Sequence, residues 1–270
     1  MKRLSNQGYW NGLYQKSSDE AAKSQGLVGW LKQATSNYPN FLLWEKIFPH
    51  YFAGKAGHTL LEVGCAPGNY LTAFAARFGL DVYGVEYAPA GVQTTRERFL
   101  KEGLDPQHVI EADFFDDTFL AAHENEFDFV YSRGFIEHFD DPSAVVARHA
   151  RLLKKDGLLI ILIPNLHGLN KILAKYLNPE SYAMHNTNIM QHDSFAALFP
   201  TEQYERKVLG LMGGFSFGLF NANTAAKQRL LSVLNIFQRP FDFVWRLCSP
   251  LIRIETPFTS PYLLAIVRKK

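Results

Sequence analysis

Cysteine is scarce in this sequence, with Cys65 and Cys248 the only two in 270 residues. Two cysteines cannot build the multi-bridge framework of a small secreted fold, so no structural disulfide is expected, and a reducing, cytoplasmic compartment is. Net charge is scarce too, at +2. That excludes bulk DNA binding, which relies on a concentrated basic surface to neutralise phosphates. Long hydrophobic runs are missing. The strongest, Leu158 to Ile163, falls far short of the roughly 20 residues of a bilayer-spanning helix. After Lys2 and Arg3 the chain continues through Asn6, Gln7 and Gly8 without the apolar stretch of a secretory signal, so neither a leader nor a transmembrane helix is expected. Internal repeats and low-complexity segments are not seen.

What is present is a hydrophobic share of 47% against 20% charged residues, enough apolar material for one domain with a large core and additions. From about residue 58 to 165, short apolar runs alternate with segments of helical period. That alternation places helices on both faces of a parallel sheet. The pattern predicts strands over 58–64, 82–87, 108–112, 127–132 and 158–163, and helices near 69–78, 90–102 and 143–154. Gly79, Gly103 and Gly157 stand at or soon after the helix ends, where a left-handed cap costs least.

Residues 1–55 read as a helical extension carrying Tyr9, Trp10, Tyr14, Trp30, Tyr38, Phe41 and Trp44. Most of these aromatics read as packing, with Tyr9 and Trp10 as candidates for a lid. After the fifth strand come a helix near 167–177, a polar stretch with His185 and His192, a strand near 204–211 and a closing strand over 261–268. An insertion, 215–258, contains a helix near 224–237 and a second aromatic segment after Pro240.

The chemistry concentrates in LLEVGCAPGNYL, residues 60–71, an apolar strand followed by a loop with Gly64 and Gly68 and a helix start at Asn69. Glycine lets a backbone approach a ligand closely, and free amides at a helix start are donors for an anionic group. The next strand ends in Glu86, about 20 residues beyond the first glycine, where a carboxylate accepts hydrogen bonds from both ribose hydroxyls of an adenosine. A dinucleotide fingerprint would require glycine at 64, 66 and 69, but the chain has Gly64, Ala66 and Asn69. The pyrophosphate-binding pattern is broken.

The spacing Gly64-x-x-x-Gly68 preceded by Glu62 instead resembles motif I of the class I S-adenosylmethionine-dependent methyltransferases, and the resemblance spans about 58–165. It implies a Rossmann-like, doubly wound α/β fold. The sheet would be seven-stranded and mostly parallel, residues 56–270 would form the cofactor-binding domain, and the 215–258 insertion would precede the last strand. It also implies S-adenosylmethionine as cofactor and S-adenosylhomocysteine as product. Glu62, Gly64, Cys65, Ala66 and Gly68 would then surround the methionine tail, Glu86 and Tyr87 the ribose and adenine, Asp113 and Phe114 the adenine edge, and Ser132 and Arg133 the methionine moiety. Pro67 departs from the family's small residues and offers no backbone donor.

Amino-methylating enzymes for adenine in DNA carry an Asn/Asp-Pro-Pro-aromatic motif where this chain has SRGF, and catechol-type enzymes place a magnesium-binding acid where it has Ser132. FIEHFDDP resembles the small-molecule branch, so His138 is read either as general base or as a group orienting the acceptor. PNLHGLN and YAMHNTNIMQHD resemble bacterial enzymes of surface-polysaccharide and natural-product pathways, which makes His185 a further catalytic candidate and Tyr9, Trp10, Asn186 and His192 acceptor-binding ones. No metal site is expected, because His185 and His192 lack companion carboxylates or cysteines in sequence. The expected acceptor is a small molecule or saccharide, methylated on oxygen or nitrogen. The alternatives are a lipid-linked, RNA or protein acceptor, or a scaffold that binds cofactor without turnover. The insertion, with Lys227, Arg229, Arg239, Arg246 and Arg253 among apolar residues, reads either as a cap helix with solvated charges or as a helix resting on an anionic membrane, the cap being preferred.

Overall fold

The computed structural model describes residues 2–12, 37–248 and 254–270. Tyr14, Trp30 and Arg253 lie outside the described residues.

Seven strands form one sheet: β1 (Thr59–Val63), β2 (Asp81–Glu86), β3 (Val109–Glu111), β4 (Phe127–Arg133), β5 (Leu153–Pro164), β6 (Tyr204–Met212) and β7 (Tyr262–Lys269). Their order is β3-β2-β1-β4-β5-β7-β6. The first five are mutually parallel, and β7 runs antiparallel to both β5 and β6. Alternate residues of a strand point to opposite faces, and the two cores divide accordingly. Leu61, Val63, Leu159, Ile161 and Ile163 belong to one, Leu60, Leu158, Ile160 and Leu162 to the other. Burial on both sides explains why β5 is apolar without alternation from Leu158 to Ile163. The strand order reverses between β1 and β4, and a crevice opens there at the carboxyl ends of the strands.

The connecting helices are α1 (Tyr38–Phe41), α2 (Phe48–Phe52), α3 (Asn69–Phe78), α4 (Pro89–Lys101), α5 (Asp117–Ala122), α6 (Pro142–Leu152), α7 (Gly168–Leu177), α8 (Pro179–Ala183), α9 (His192–Ala197) and α10 (Ala225–Cys248). A π-helical stretch, Leu42–Ile47, joins α1 to α2. Trp44 packs against Phe48, Tyr70 and Phe74, and Tyr38 is buried.

Three expectations are corrected. The helix expected to reach residue 154 ends at Leu152, and β5 begins at once with Leu153, which pairs with Phe127 across an irregularity in the ladder. Gly157 therefore caps no helix. It sits inside β5, where a Cβ would lie 3.0 Å from the Asp128 carbonyl oxygen. In the insertion, Pro240 does not divide two segments but stands inside the continuous helix α10. The carbonyl it leaves without a partner belongs to Ile236, on the outward face, where solvent can replace the lost bond.

The third correction concerns how α10 packs. The cap reading has the helix packed on the domain with its charges solvated; α10 does pack on the domain, burying Leu231, Gln238 and Asp242, but it also exposes Phe237, Phe241 and Leu247 by 67%, 62% and 63%. The inward polar groups are used. Gln238 donates to the Phe215 carbonyl and to Asp242, and its Oε1 accepts from the Phe217 amide. The helix is thus held to the 215–217 loop by hydrogen bonds and leaves its apolar side open.

Candidate functional site

The carboxyl end of β1 runs into the loop Gly64 to Gly68. Gly64 has φ 70° and a Cβ there would stand 2.9 Å from the Phe135 ring; Gly68 has φ 81° and a Cβ would stand 2.8 Å from Thr95 Cγ2. Left-handed backbone and lack of space together require glycine at both positions. Gly68 caps α3, so the loop delivers a helix start to the crevice.

Over this loop lies a cavity of about 260 Å³ lined by Gly64, Ala66, Glu86, Tyr87, Phe114 and Arg133, among others. Beside it a second cavity, of about 250 Å³, is lined by Tyr9, Trp10, Glu137, His138, His185 and Tyr262. Trp10, Arg133, Gly134 and His138 belong to both walls, so the two cavities adjoin.

Glu86, at the end of β2, is buried. Its Oε1 accepts from the Tyr87 and Ala88 amides at 2.9 and 2.8 Å. Burial raises its pKa, and these amides with that of Ala66 oppose the rise. Glu62, in β1, is also buried and its Oε2 has no hydrogen-bond partner. Loss of solvent holds its pKa well above the usual carboxylate range, with the Arg133 charge pulling it down and Glu86 pushing it up. Arg133, last in β4, is wedged between the rings of Tyr70 and Tyr262 at 4.7 and 5.0 Å and donates to Tyr262 Oη at 3.1 Å, while its buried Nη1 is unpartnered. Glu62 stands in neither cavity wall, but this buried acid and the half-buried Arg133 each keep a buried atom unanswered, which an ammonium and a carboxylate of one ligand would answer.

The amino-terminal residues cross this crevice. Arg3 forms a bridge with Phe139, the Leu4 amide donates to the His138 carbonyl at 2.8 Å, and Gln7 Nε2 donates to the Tyr87 carbonyl at 2.6 Å. Residues 7–12 are helical, which sets Trp10 edge-on to His138 at 5.2 Å. Arg3 pairs with both carboxylate oxygens of Asp113 and lies over the Tyr87 and Phe115 rings at 4.9 and 5.3 Å. Asp113 also accepts from the Phe115 amide. Its exposed carboxylate is thus already occupied.

In the second cavity, His138 Nδ1 donates to the Met184 carbonyl at 2.9 Å and His185 Nδ1 to that of Ser181 at 2.7 Å. Since carbonyls only accept, the protons sit on Nδ1 and both Nε2 atoms keep lone pairs. The two rings are 4.6 Å apart. Between the sequence neighbours Ile136 and His138, Glu137 is fully buried with neither carboxylate oxygen partnered. Burial pushes its pKa to about 8 and pushes that of His138 down to about 3. Ligand atoms of Glu137, His138 and His185 lie within 4.8 Å of one another, a donor set that can hold a proton or a divalent cation.

Gly64, Ala66, Glu86, Tyr87, Phe114, Arg133 and Asp113 are brought together at the first cavity, and Tyr9, Trp10, His138 and His185 at the second. Five expectations are not met as stated. Cys65 points away, its sulfur packed where a Cβ on Gly84 would come within 2.5 Å of it. Gly68 contributes its turn and not a wall, and Ser132 is buried with its hydroxyl unpartnered. Asn186 is spent on structure, its amides donating to the Phe139 and Glu137 carbonyls and its Oδ1 accepting from Asn188. His192 is exposed at the start of α9, bonded to Asp193 and lining a different hollow. The expectation of no metal-binding cluster looked at the wrong partner. His185 meets Glu137 and His138, which are distant in sequence, and not His192. Glu137 and Arg3 were not anticipated. A carboxylate inside the otherwise apolar FIEHF was the one available signal for the former.

Residues 39–205 match the family described as a methyltransferase domain. A ubiquinone biosynthesis O-methyltransferase of Salmonella paratyphi A is 31% identical over 121 residues, 45% of this chain and 48% of that protein. One from Thiobacillus denitrificans is 30% identical over 122 residues, 45% and 51% of the two chains. The chain spans about half the length of the curated relatives it matches. Among solved structures, geranyl diphosphate C-methyltransferase from Streptomyces coelicolor, in complex with Mg2+, geranyl diphosphate and S-adenosyl-L-homocysteine, superposes with a TM-score of 0.56 at 15% identity, covering 90% of this chain and 81% of that one. The PH0226 protein from Pyrococcus horikoshii gives 0.54 at 15% identity, covering 86% and 90%. Both likenesses concern the fold.

Proposed function

Because the chain belongs to the methyltransferase-domain family, we propose that it transfers a methyl group from S-adenosylmethionine to a hydroxyl oxygen of a small-molecule acceptor. The observation that carries this is the pair of unanswered buried atoms, Glu62 Oε2 and Arg133 Nη1. An amino-acid tail has an ammonium for the first and a carboxylate for the second, and Glu86 at the end of β2 is the acceptor a ribose diol requires. A nicotinamide dinucleotide has no such zwitterion to offer.

When bound, the cofactor supplies an electrophilic methyl group on an already activated sulfonium. The chain's own work is to hold, align and dry the reactants. Tyr87, Phe114 and Arg133 wall the donor cavity, and Trp10 and Gly134 stand where it meets the acceptor cavity. The acceptor hydroxyl sits against His138 and His185, whose Nε2 lone pairs orient its O–H bond. Its proton passes to ionised Glu137 as the oxygen–carbon bond forms. A base with a pKa of about 8 is far better matched to neutral operation than a histidine at about 3.

Oxygen is preferred over nitrogen because the sequence relatives above are named O-methyltransferases. A sugar hydroxyl is compatible with a cavity whose wall includes Asn178, Ser181 and Asn221 beside aromatic rings. The free thiols of Cys65 and Cys248 support a reducing, cytoplasmic setting.

The test is calorimetry with S-adenosylmethionine and S-adenosylhomocysteine. Both should bind, and Glu62→Gln, Arg133→Met and Glu86→Ala should each weaken binding by about 10- to 100-fold, the value of a charge-assisted hydrogen bond. Unchanged affinity in Glu62→Gln and Arg133→Met would refute the placement of the amino-acid tail.

A further inference from the structure

Helix α10 is inverted for a surface helix. Along its outward side, Leu230, Val233, Ile236, Phe237, Phe241, Phe243, Val244 and Leu247 are each 45–67% exposed. At 100° per residue they occupy one arc, opposite the side that buries Leu231, Gln238 and Asp242. Exposed apolar surface this continuous marks a place where something docks.

The charges around it have one sign. Helices α7 and α10 carry Lys171, Lys175, Lys227, Arg229 and Arg239 around it, while Arg246 turns inward over the Phe41 ring beside Asp242, the one acid of the two helices. The two helices meet. Lys227 Nζ donates to the Tyr176 carbonyl and lies 5.0 Å over that ring, and the Asn223 amide donates to the Leu177 carbonyl. Ile172 and Tyr176, 63% and 60% exposed, extend the apolar surface onto α7.

We propose that this face docks on an anionic phospholipid membrane, with α10 lying in the plane of the headgroups. Apolar side chains enter the boundary of the acyl region, and the surrounding cations meet lipid phosphates. No described helix is long and apolar enough to cross a membrane, so the contact is peripheral. A second copy of the chain is a poor occupant, because a two-fold pairing of this face would set Arg229 and Arg239 against their own kind without an exposed acid on either helix to answer them. The acceptor cavity borders the same junction, with Ala174, Asn178 and Asn221 in its wall, so docking brings that cavity to the lipid surface. The proposal is independent of the methyl-transfer chemistry, since binding to vesicles is read without turnover.

The experiment is flotation of the full chain with vesicles of phosphatidylcholine alone and of phosphatidylcholine mixed with phosphatidylglycerol. Binding is expected to the mixed vesicles only, and to weaken as salt rises. Ile236→Glu combined with Phe241→Glu changes only exposed positions, so the variant should keep its circular dichroism and Tm while losing at least about tenfold in vesicle binding. Arg229→Gln with Arg239→Gln should lose roughly fivefold per charge removed. Three results would overturn the proposal: no flotation with anionic vesicles, flotation undiminished in the double-glutamate variant, or a parent dimer in gel filtration that the glutamates dissolve.

Discussion

Glu137 is a carboxyl group held away from water with no partner for either oxygen, next to two histidines whose lone pairs point into the same space. Its folded pKa of about 8 has a consequence for rate and another for stability. For rate, activity should climb through a limb near pH 8 as the carboxylate forms, and Glu137→Gln should flatten that limb and lower kcat by about 10²- to 10⁴-fold with little change in cofactor affinity. For stability, the protonated form is favoured in the fold and the ionised form in the unfolded chain. The contribution is therefore fully present below the unfolded pKa, near 4.5, and is lost as pH rises to about 8. In urea titrations Glu137→Gln should gain on the parent by on the order of 1.4 kcal/mol per pH unit across that window; a constant difference would mean the side chain is solvated. At this scale the cofactor residues were readable because they sit at fixed distances from a glycine loop, as Glu62 and Glu86 do. Asn186 and His192 were misread for a corresponding reason. Their roles depend on the path of the chain after β5, and sequence proximity to His185 says nothing of which way each side chain turns.

Among the elements, the segment over residues 2–12 has the most direct bearing on binding. Its Arg3 holds the Asp113 carboxylate and lies over Tyr87, the acid and the ring expected to frame an adenine. Arg3 and the adenine therefore compete for one place. Arg3→Ala should tighten S-adenosylhomocysteine binding by up to about fivefold, the upper range for a partly exposed ion pair. Weaker binding in calorimetry would show instead that Arg3 supports the nucleoside. This segment could not be found by periodicity, because its hold on the domain consists of backbone bonds to Phe139 and His138 and of single side-chain contacts from Arg3, Gln7 and Trp10. The helices α3, α4 and α7 were legible, each having an apolar period and a clear start or stop. The end of α6 was not. It is fixed by the pairing of Leu153 with Phe127, a tertiary contact that overrides the glycine signal four residues later.

For the molecule as a whole, two internal histidines are expected to contribute to its loss of stability in acid. Burial keeps His138 and His149 neutral in the fold, with pKa values of about 3 and about 4, whereas in the unfolded chain both protonate near 6.5. Their contribution is fully present above that pH and is lost as pH falls toward the folded values. His149 is wedged against Phe114 and Phe135, so His149→Phe should reduce the loss of stability between pH 6.5 and 4 relative to the parent by on the order of 1.4 kcal/mol per unit. Parallel slopes in denaturant titrations would exclude His149 as a source. The sheet's layout was legible at this scale through the strand and helix alternation, while the outward apolar side of α10 was not, since periodicity reveals an arc but not its direction.

One further consequence follows from the position of β7 between β5 and β6. During synthesis, the first six strands leave the ribosome with a gap where the seventh belongs, so the apolar run Leu158 to Ile163 of β5 waits with one edge bare. Sticking to a neighbouring nascent chain is a hazard in that interval, and closure of the gap is the event that ends it.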